Sequence, residues 1–336
     1  MILVTGAAGH LGNVLVRKLA KRQESVRAVL LPGEPPTPLM GIPGIELVEA
    51  DILDYTSLSS AFQGVHTVYH LASVISIYPG RDSLMEAVNI LGTRNIIHAS
   101  RVYGVQRLIY TSSIHALRRV PHGTTIDENI PFDPLTALGA YDHSKAQASV
   151  EVLHAAQNGL DAIIACPTGI IGPFDYRRSE MGQIILDCLS RKPQLYVDGA
   201  YDFVDVRDVA DGLILACERG QTAESYILSG EQLTVRRLID TIWNITGKYI
   251  FRVKIPFSLA KLLAPLAVYY YRLTRTKPRF TPYALQQLVS NSMISHAKAS
   301  RVLGYQPRSL KYSLADTIQW FMESQTTSPS SASLLD

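Results

Sequence analysis

The stretch Thr5-Gly6-Ala7-Ala8-Gly9-His10-Leu11-Gly12 decides the fold because of what stands on either side of it. Met1–Val4 before it is an apolar run long enough for one buried strand, and residues 13–20 after it are apolar at helical spacing. A strand, a glycine turn and a helix in that order can bind a phosphate, because glycines let the anion approach the backbone and the helix N-terminus offers unpaired N–H groups. The G-x-x-G-x-x-G spacing differs from the G-x-G-x-x-G of long-chain dehydrogenases, so the motif is weak evidence by itself.

Strand and helix patterns alternate through the first half of the chain. The predicted strands are Met1–Val4, Ser25–Leu30, Ile45–Glu49, Thr67–Leu71, Arg107–Thr111 and Asp161–Cys166. The predicted helices are Leu11–Arg22, Ser57–Phe62, Asp82–Tyr103 and Tyr141–Asn158. This alternation predicts an α/β fold with a doubly wound parallel sheet of the Rossmann type.

The pattern changes after Pro167, where helical segments dominate. They are Glu180–Ser190, Thr234–Thr246, Phe257–Leu273 and Pro282–Val289, with short strands at Leu195–Val197, Ala223–Leu228 and Phe251–Ile255. We interpret this half as a smaller, mostly helical substrate domain. The predicted division is a sheet domain at 1–168, rejoined by about 200–220; a substrate domain and C-terminal cap at 169–199 and 221–323; and a disordered tail at 324–336.

Composition excludes several classes of protein. With 47% apolar and 18% charged residues, the 336-residue chain can bury a large core, and a net charge of +3 spread along it does not predict nucleic acid as a partner. Cys166, Cys188 and Cys217 stand singly, without metal-ligand spacing, so we expect no metal site and reduced thiols. Because a core strand begins at the N-terminus, we expect no secretory signal and a cytoplasmic location.

The longest apolar stretch, Ile255–Leu273, is interrupted by Pro256, Lys261 and Pro265. It is too broken for a membrane span of about 20 residues. Two interpretations stay open: helices that roof an apolar pocket, which we favour, or a segment lying on a membrane surface with Tyr269-Tyr270-Tyr271-Arg272 at its end.

A second motif lies about 130 residues after the first. Tyr141-Asp142-His143-Ser144-Lys145 places a phenol and an ammonium four residues apart in a helical segment, hence on one face. Upstream, the strand Arg107–Thr111 is followed by the hydroxyls of Ser112 and Ser113, and ligands bind at the carboxyl ends of such strands. The ordered combination is far more specific than either motif.

With these motifs in order, the chain resembles the extended short-chain dehydrogenase/reductase superfamily, the NAD-dependent epimerase/dehydratase family, over about residues 1–323. Further matching pieces are Asp51-Ile52, His70-Leu71-Ala72-Ser73, Asn89-Ile90-Leu91-Gly92-Thr93, the run from Pro167 to Pro173 and the run from Phe203 to Ala210. Within the superfamily it is most similar to the dihydroflavonol-4-reductase-like carbonyl reductases, a likeness carried by the runs from Pro173 to Gly182 and from Leu303 to Arg308.

The resemblance implies an NAD(P)-dependent oxidoreductase that reduces a ketone or aldehyde of a fairly apolar small molecule, or oxidises the matching alcohol. Tyr141 would be the acid/base, and Lys145 would lower its pKa and hold the nicotinamide ribose. Ser113 would orient the substrate oxygen; Ser112 stays the alternative. A nucleotide-sugar epimerase or dehydratase of the same superfamily is the competing function, followed by a non-catalytic dinucleotide sensor. The resemblance is also compatible with a homodimer.

The family pattern also assigns the cofactor contacts. They are Gly6, Gly9, His10, Leu11, Gly12, Asp51, Ile52, Leu71, Ala72, Ser73, Tyr141, Lys145, Pro167 and Ile170, while Asn89 is either a contact or a satisfied buried amide.

Two departures from the family pattern qualify the resemblance, and the role of one pair of arginines stays open. After the second strand, Val29–Gly33 has neither the arginine of NADP enzymes nor the acid of NAD enzymes, with Arg27 and Glu34 as the nearest charges, so the choice of cofactor stays open. Cys166 stands where nucleotide-sugar enzymes usually carry arginine. Arg177 and Arg178 are either contacts to a substrate anion or solvated loop residues, and we favour the second.

Overall fold

The computed structural model describes residues 1–75, 82–135, 137–190, 192–274 and 281–327. Their strands, in chain order, are β1 Ile2–Thr5, β2 Val26–Leu30, β3 Ile45–Glu49, β4 Thr67–His70, β5 Arg107–Thr111, β6 Ala162–Pro167, β7 Gly169–Ile171, β8 Gln194–Tyr196, β9 Ala200–Asp205, β10 Ser225–Leu228, β11 Glu231–Thr234 and β12 Arg252–Lys254. The helices are α1 His10–Lys21, α2 Tyr55–Ala61, α3 Asp82–Glu86, α4 Gly92–Val102, α5 Ala140–Gln157, α6 Glu180–Leu189, α7 Val206–Arg219, α8 Val235–Thr246, α9 Phe257–Thr274, α10 Pro282–Leu288, α11 Ala297–Leu303 and α12 Leu310–Thr327.

Seven parallel strands form the central sheet, in the order β10-β6-β5-β4-β1-β2-β3. One face is covered by α1, α7 and α11, whose Leu15, Leu213 and Leu303 are fully buried. The other face is covered by α2, α4 and α5, through Leu58, Ile96 and other buried side chains. The predicted doubly wound α/β fold is confirmed, and the strand order reverses between β1 and β4, where this architecture binds its ligands.

Two glycines allow α1 to begin directly behind β1. Gly6 has a φ of +68°, and a Cβ there would lie 2.7 Å from the backbone nitrogen of Ala72. At Gly12 a Cβ would lie 2.1 Å from the carbonyl oxygen of Gly6. Gly9, with a φ of −69°, is different, since a Cβ there would have the Gly6 oxygen at 3.1 Å as its nearest neighbour. Gly6 and Gly12 are therefore required for packing, and Gly9 is not.

The smaller unit contains a three-stranded sheet in the order β11-β9-β7 and the pair β12-β8. Its core joins α6, α8 and α12 through buried side chains such as Ile185, Ile242 and Leu314. The strand that we predicted within Ala223–Leu228 lies elsewhere, because β10 pairs in parallel with β6 at the edge of the central sheet. Tyr226, Ile227 and Leu228 are all fully buried, and consecutive buried side chains need cover on both faces of a sheet. Two other parts of the predicted division are wrong: β9, predicted to rejoin the sheet domain, lies in the smaller sheet, and α11, predicted in the substrate domain, packs on the central sheet. The remaining domain boundaries stay a prediction.

The C-terminal helix α12 runs to Thr327, so the disorder predicted from residue 324 is wrong for residues 324–327, and residues 328–336 lie outside the described residues. The helix extends because Leu314, Ile318 and Phe321 pack into the core of the smaller unit. The backbone of α9 continues to Thr274 with Pro265 inside it. Among the helices that the structure describes, none combines the length and hydropathy needed to cross a membrane.

Replacing Gly12 by alanine should lower the free energy of unfolding by about 2 kcal/mol or more, because the new Cβ would collide with the backbone of Gly6, which cannot yield as a side chain can. Helix propensity alone predicts the opposite sign, since alanine is favoured over glycine by about 1 kcal/mol inside a helix. Urea unfolding measures the difference. The control, Gly9→Ala, should stay within about 1 kcal/mol of the unmodified protein, and equal losses in both variants would refute the explanation.

Candidate active site

A buried hydrogen-bond chain joins the carboxyl ends of β1 and β4. The hydroxyl of Thr5 lies 2.8 Å from Nδ1 of His70 and accepts from the N–H groups of Leu71 and Ala72, both at 3.2 Å. Nε2 of His70 lies 3.1 Å from the hydroxyl of Thr93. Burial and the nearby charge of Lys145 lower the pKa of His70 to about 3, so it is neutral. These contacts fix the loop that follows β4 against the glycine turn.

The N-terminus of α1 is left without a side-chain cap. Its N-cap is Gly9, whose carbonyl accepts the first helical hydrogen bond from Asn13, and no side chain caps the turn. His10 and Leu11 open the helix, and His10 directs Nε2 to the carbonyl oxygen of Pro173, 3.0 Å away. An uncapped helix start, where a Cβ at Gly9 would meet only the Gly6 oxygen, at 3.1 Å, suits an anion such as a pyrophosphate.

Asp51 and Ile52 follow β3 at the same edge of the sheet. One carboxylate oxygen of Asp51 accepts from the N–H of Leu53 at 2.9 Å, which holds the turn. Ile52 is buried against Gly92 of α4, where a Cβ would lie 2.4 Å from its side chain, and its carbonyl accepts from Asn95. Both predicted residues therefore lie on the side of the sheet toward β3, away from the helix that carries Tyr141.

The loop after β4 is tied to α5 through one asparagine. Asn89, in a π-helical segment between α3 and α4, accepts from Val74 N–H at 2.8 Å and donates to Val74 carbonyl at 3.0 Å and to the Ser144 hydroxyl at 2.9 Å. Ser144 in turn donates to the carbonyl of Tyr141. The buried amide is thus satisfied by the protein, and Leu71, Ala72 and Ser73 lead along a loop that is fixed to α5.

Tyr141, Lys145 and Ser113 come together where β5 ends beside α5. The Ser113 hydroxyl lies beside Tyr141 and acts in the direction that lowers the pKa of its phenol. Ser113 Oγ accepts from His115 N–H at 3.2 Å. Lys145 is 2% exposed; its ammonium donates to the carbonyl of Thr111 at 2.6 Å and lies 4.5 Å from the ring centre of Tyr110. The predicted triad is therefore a single cluster.

Burial dominates the ionisation of this cluster. It raises the pKa of Tyr141 to about 12, although the hydrogen bond with Ser113 acts in the opposite direction, and it lowers the pKa of Lys145 to about 7. The effects on the Tyr141 pKa come from burial, Ser113 and Asp142, so the lowering that we expected from Lys145 is not observed. The reason is that the Lys145 ammonium is itself desolvated and turned toward the Thr111 carbonyl.

The two candidate serines face opposite sides of the chain, as alternation along a strand requires. Ser112 Oγ lies 2.6 Å from Ser149 Oγ in the interior of the protein, beside Cys166, whose pKa burial raises to about 12. Ser113 acts instead on Tyr141, whose pKa it helps to lower, and its Oγ accepts from His115 N–H. The geometry favours Ser113 as the serine that can contact a substrate.

Pro167 and Ile170 flank the end of β6. Pro167 is buried and pairs with Leu228 of β10, and Ile170 in β7 is half-buried against the core beneath α1. Between them, Thr168 donates to Asp202 at 2.7 Å, and this joins the central sheet to the smaller unit. The contacts assigned to Pro167 and Ile170 by the family pattern stay a prediction.

The loop after β7 reaches the glycine turn and the end of β2, a contact that the sequence did not reveal. Arg177 forms an ion pair with Glu34, whose other oxygen accepts from Leu31 N–H at 2.9 Å. Arg27 is directed elsewhere, to Glu46 and to the carbonyls at residues 61 and 63. No periodic sequence pattern shows that this proline-bounded loop lies near α1. The opposite charges of Glu34 and Arg177 are the only feature in the sequence that is consistent with the contact.

A cavity of about 790 Å³ opens in front of Tyr141, and most of its wall is apolar. The side toward the central sheet includes Ile114, Leu117 and Ile126, and the smaller unit supplies Met181, Ile184, Val197, Tyr201, Phe203, Val235, Leu285, Leu288 and Val289. The cations of the lining are Arg118 and Arg119, both from the sheet side, and within the described residues no lysine or arginine of the smaller unit lines the cavity. Neither Arg177 nor Arg178 lines it.

Helix α10 is held to α5 beside this cavity by Asp142, Tyr283 and Gln287, which we call the α10 clamp. Asp142, 1% exposed, accepts from the Tyr283 hydroxyl at 2.6 Å and from the Gln287 amide at 2.9 Å. Arg119 approaches the same carboxylate at 3.7 Å. The clamp was missed in the sequence because its members are more than 140 residues apart. It anchors one wall of the cavity to the residue next to Tyr141.

These features fit a dinucleotide along the sheet edge, with the uncapped α1 for its pyrophosphate and Tyr141 at its far end. Residues 2–229 match the model of the NAD dependent epimerase/dehydratase family. The chain is 35% identical to sterol demethylase protein B of Methylococcus capsulatus, over 96% of this chain and 98% of that protein. It is 33% identical to a candidate dihydroflavonol 4-reductase of Synechocystis sp., over 95% of this chain and 93% of that protein.

Among solved structures, the crystal structure of gox2253 superposes with a TM-score of 0.85 at 33% identity, covering 96% of this chain and 98% of that chain. The match of a family model over more than half of the chain agrees with the order of the motifs and with the sheet topology. The chain belongs to the NAD dependent epimerase/dehydratase family and is an enzyme of the extended short-chain dehydrogenase/reductase type that uses NAD or NADP.

Proposed function

We propose that the enzyme interconverts a ketone and a secondary alcohol on a large, apolar, ring-containing or isoprenoid molecule. The observation that carries this proposal is the apolar cavity of about 790 Å³ in front of Tyr141, which is in the size range of sites that enclose a whole drug-sized ligand. The relative named sterol demethylase protein B supports a substrate of this size and polarity.

The wall of the cavity argues against a nucleotide sugar. Such a substrate carries a pyrophosphate that needs cations in the smaller unit, where none of the described lining residues is a lysine or arginine. Gln287 offers a neutral acceptor instead, since its Oε1 is buried without a hydrogen-bond partner in the described part of the chain. We propose that Gln287 Oε1 accepts a hydrogen bond from a substrate hydroxyl far from the reacting carbonyl.

In the proposed mechanism, Ser113 and Tyr141 bind the carbonyl oxygen with their two hydroxyls. Bound NAD(P)H supplies the hydride. Tyr141 gives its proton to the oxygen as the alcohol forms, and takes it back in the reverse direction. Because burial raises the pKa of Tyr141 to about 12, proton return needs nearby positive charge, which the oxidised nicotinamide would supply when bound. Lys145, one helical turn away, adds to it only in its protonated form, because burial lowers its pKa to about 7.

Tyr141→Phe should abolish turnover and leave the dissociation constant of the cofactor within about threefold of the original, because phenylalanine keeps the ring but removes the proton donor. Steady-state assays with a panel of apolar ketones, and calorimetry with each reduced cofactor, provide the two measurements. Full activity of this variant on any good substrate would disprove the assignment.

The two serines provide a matched pair of variants. Ser113→Ala should reduce kcat by about a hundredfold or more, since it removes a hydrogen bond to the reacting oxygen. Ser112→Ala should change the stability more than kcat, because Ser112 bonds to Ser149 in the interior. The reverse pattern would transfer the catalytic role to Ser112.

Gly9→Val should block dinucleotide binding without unfolding the chain. A Cβ at Gly9 meets only the Gly6 oxygen, at 3.1 Å, so the side chain can be accommodated, but it would stand at the uncapped start of α1 where we place the pyrophosphate. Calorimetry measures the affinity, and circular dichroism checks the fold. Unchanged affinity in a folded variant would remove the pyrophosphate from this turn.

The unmodified enzyme should discriminate less than about tenfold between NAD and NADP, because the charges near the end of β2, Glu34 and Arg177, neutralise each other. Leu31, 54% exposed beside them, offers a place for a phosphate ligand, and Leu31→Arg should shift the preference toward NADP by about ten- to a hundredfold. Dissociation constants for both cofactors test this. A hundredfold preference in the unmodified enzyme would reveal a determinant outside this pair.

A further inference from the structure

Helix α9 packs on the protein through its small residues and exposes its large ones. Ala260 and Ala264, one turn apart, are 5% and 1% exposed, whereas Leu262 and Leu266 on the outer side are 71% and 66% exposed. A surface helix of a soluble protein normally buries leucine and exposes polar side chains. The packing of α9 is the reverse of that arrangement.

Four exposed leucines lie on one side of α9, at positions i, i+3, i+4 and i+7. We call Leu259, Leu262, Leu263 and Leu266 the leucine face; all four are at least 44% exposed. Phe257 precedes them on the same helix and is 38% exposed. Isolated exposed leucines are ordinary, but a row of them on one helix marks an interaction surface.

The charge of the surrounding sequence is strongly one-sided. Residues 241–315 contain twelve lysines and arginines and no aspartate or glutamate. The rest of the chain, with the other 20 Lys and Arg against all 29 Asp and Glu, is therefore net acidic. The even distribution that we predicted from the net charge of +3 is wrong. Four of these cations, Arg252, Lys254, Lys298 and Arg308, are paired with acids from outside the segment. Of the cations near the leucine face, Lys254 and Lys261 are exposed, and Lys254 is the one paired with Asp198, at 2.6 Å.

We propose that α9 lies on the surface of an anionic lipid bilayer, with the leucine face at the boundary between headgroups and acyl chains. A basic helix with a leucine-rich side binds such a surface through buried apolar area and attraction to acidic headgroups. A second copy of the chain is a poorer partner for this face. In a symmetric dimer, each acid-free segment would meet its own positive counterpart.

The position of α9 also connects this surface with the cavity. Ala260 and Ala264 belong to a small core cluster with Val197, Leu285 and Leu288, and these last three side chains line the cavity. A single layer of side chains thus separates α9 from the substrate site. If the proposed function holds, the bilayer is the source of the apolar substrate and α9 is the part of the enzyme nearest to it.

Vesicle flotation of the full-length protein tests the contact without requiring catalysis. The protein should float with vesicles of equal parts phosphatidylcholine and phosphatidylglycerol and stay behind with phosphatidylcholine alone. Leu262→Ser with Leu266→Ser should weaken binding about tenfold or more at an unchanged Tm, because two exposed apolar side chains are lost. The matched control is Val102→Ser with Leu135→Ser, which removes exposed apolar side chains elsewhere and should bind as the original does.

Failure of the original protein to bind anionic vesicles, or equal binding by the two double variants, would overturn the proposal. So would a dimer in sedimentation equilibrium that dissociates in the Leu262/Leu266 variant while no vesicles are bound, since that result assigns the leucine face to a second copy. Turnover on a small water-soluble ketone, measured in parallel, reports on the proposed function alone and is expected to be equal in all three proteins.

Discussion

The contact of Gly12 with the carbonyl of Gly6 is the constraint on which the rest of the molecule depends. It fixes α1 against the end of β1 at a distance that a residue with a Cβ atom could not adopt. Thr5, at the end of the same strand, then binds His70 and the N–H groups after β4. Asn89 extends this connection to α5 and therefore to Tyr141. The phosphate-binding turn and the acid/base are in this way parts of one hydrogen-bonded framework.

Features that depend on residues close together in the sequence could be predicted, and features that depend on distant segments could not. Period-two and helical patterns are local, so β1, α1, β5 and α5 were found nearly at their true boundaries. The motif at Tyr141–Lys145 was also readable, because both side chains lie on one helix. The prediction places strand β10 in the smaller domain, and this is wrong, since its short apolar run contains no information about which neighbour it will join.

The contacts between distant segments could not be predicted for a similar reason. Glu34 with Arg177, and Asp142 with Tyr283, depend on how the loops between the two units return to the sheet. The spacing of these residues in the sequence does not indicate the path of those loops. The ionisation of Tyr141 was also misjudged, because helical spacing does not show that the Lys145 ammonium is held by the Thr111 carbonyl. Burial then outweighs the effect that was expected from the pair.

The α10 clamp has a kinetic consequence. Asp142, which holds one wall of the cavity, is the chain neighbour of the proton donor, and both belong to the first turn of α5. A ligand too bulky for the cavity would have to pull Tyr283 and Gln287 away from that turn and so tilt the phenol relative to the reacting oxygen. Oversized molecules would therefore be admitted yet converted slowly. Breaking hydrogen bonds to the buried Asp142 carboxylate also costs binding free energy, so the enzyme would select molecular size through both affinity and kcat.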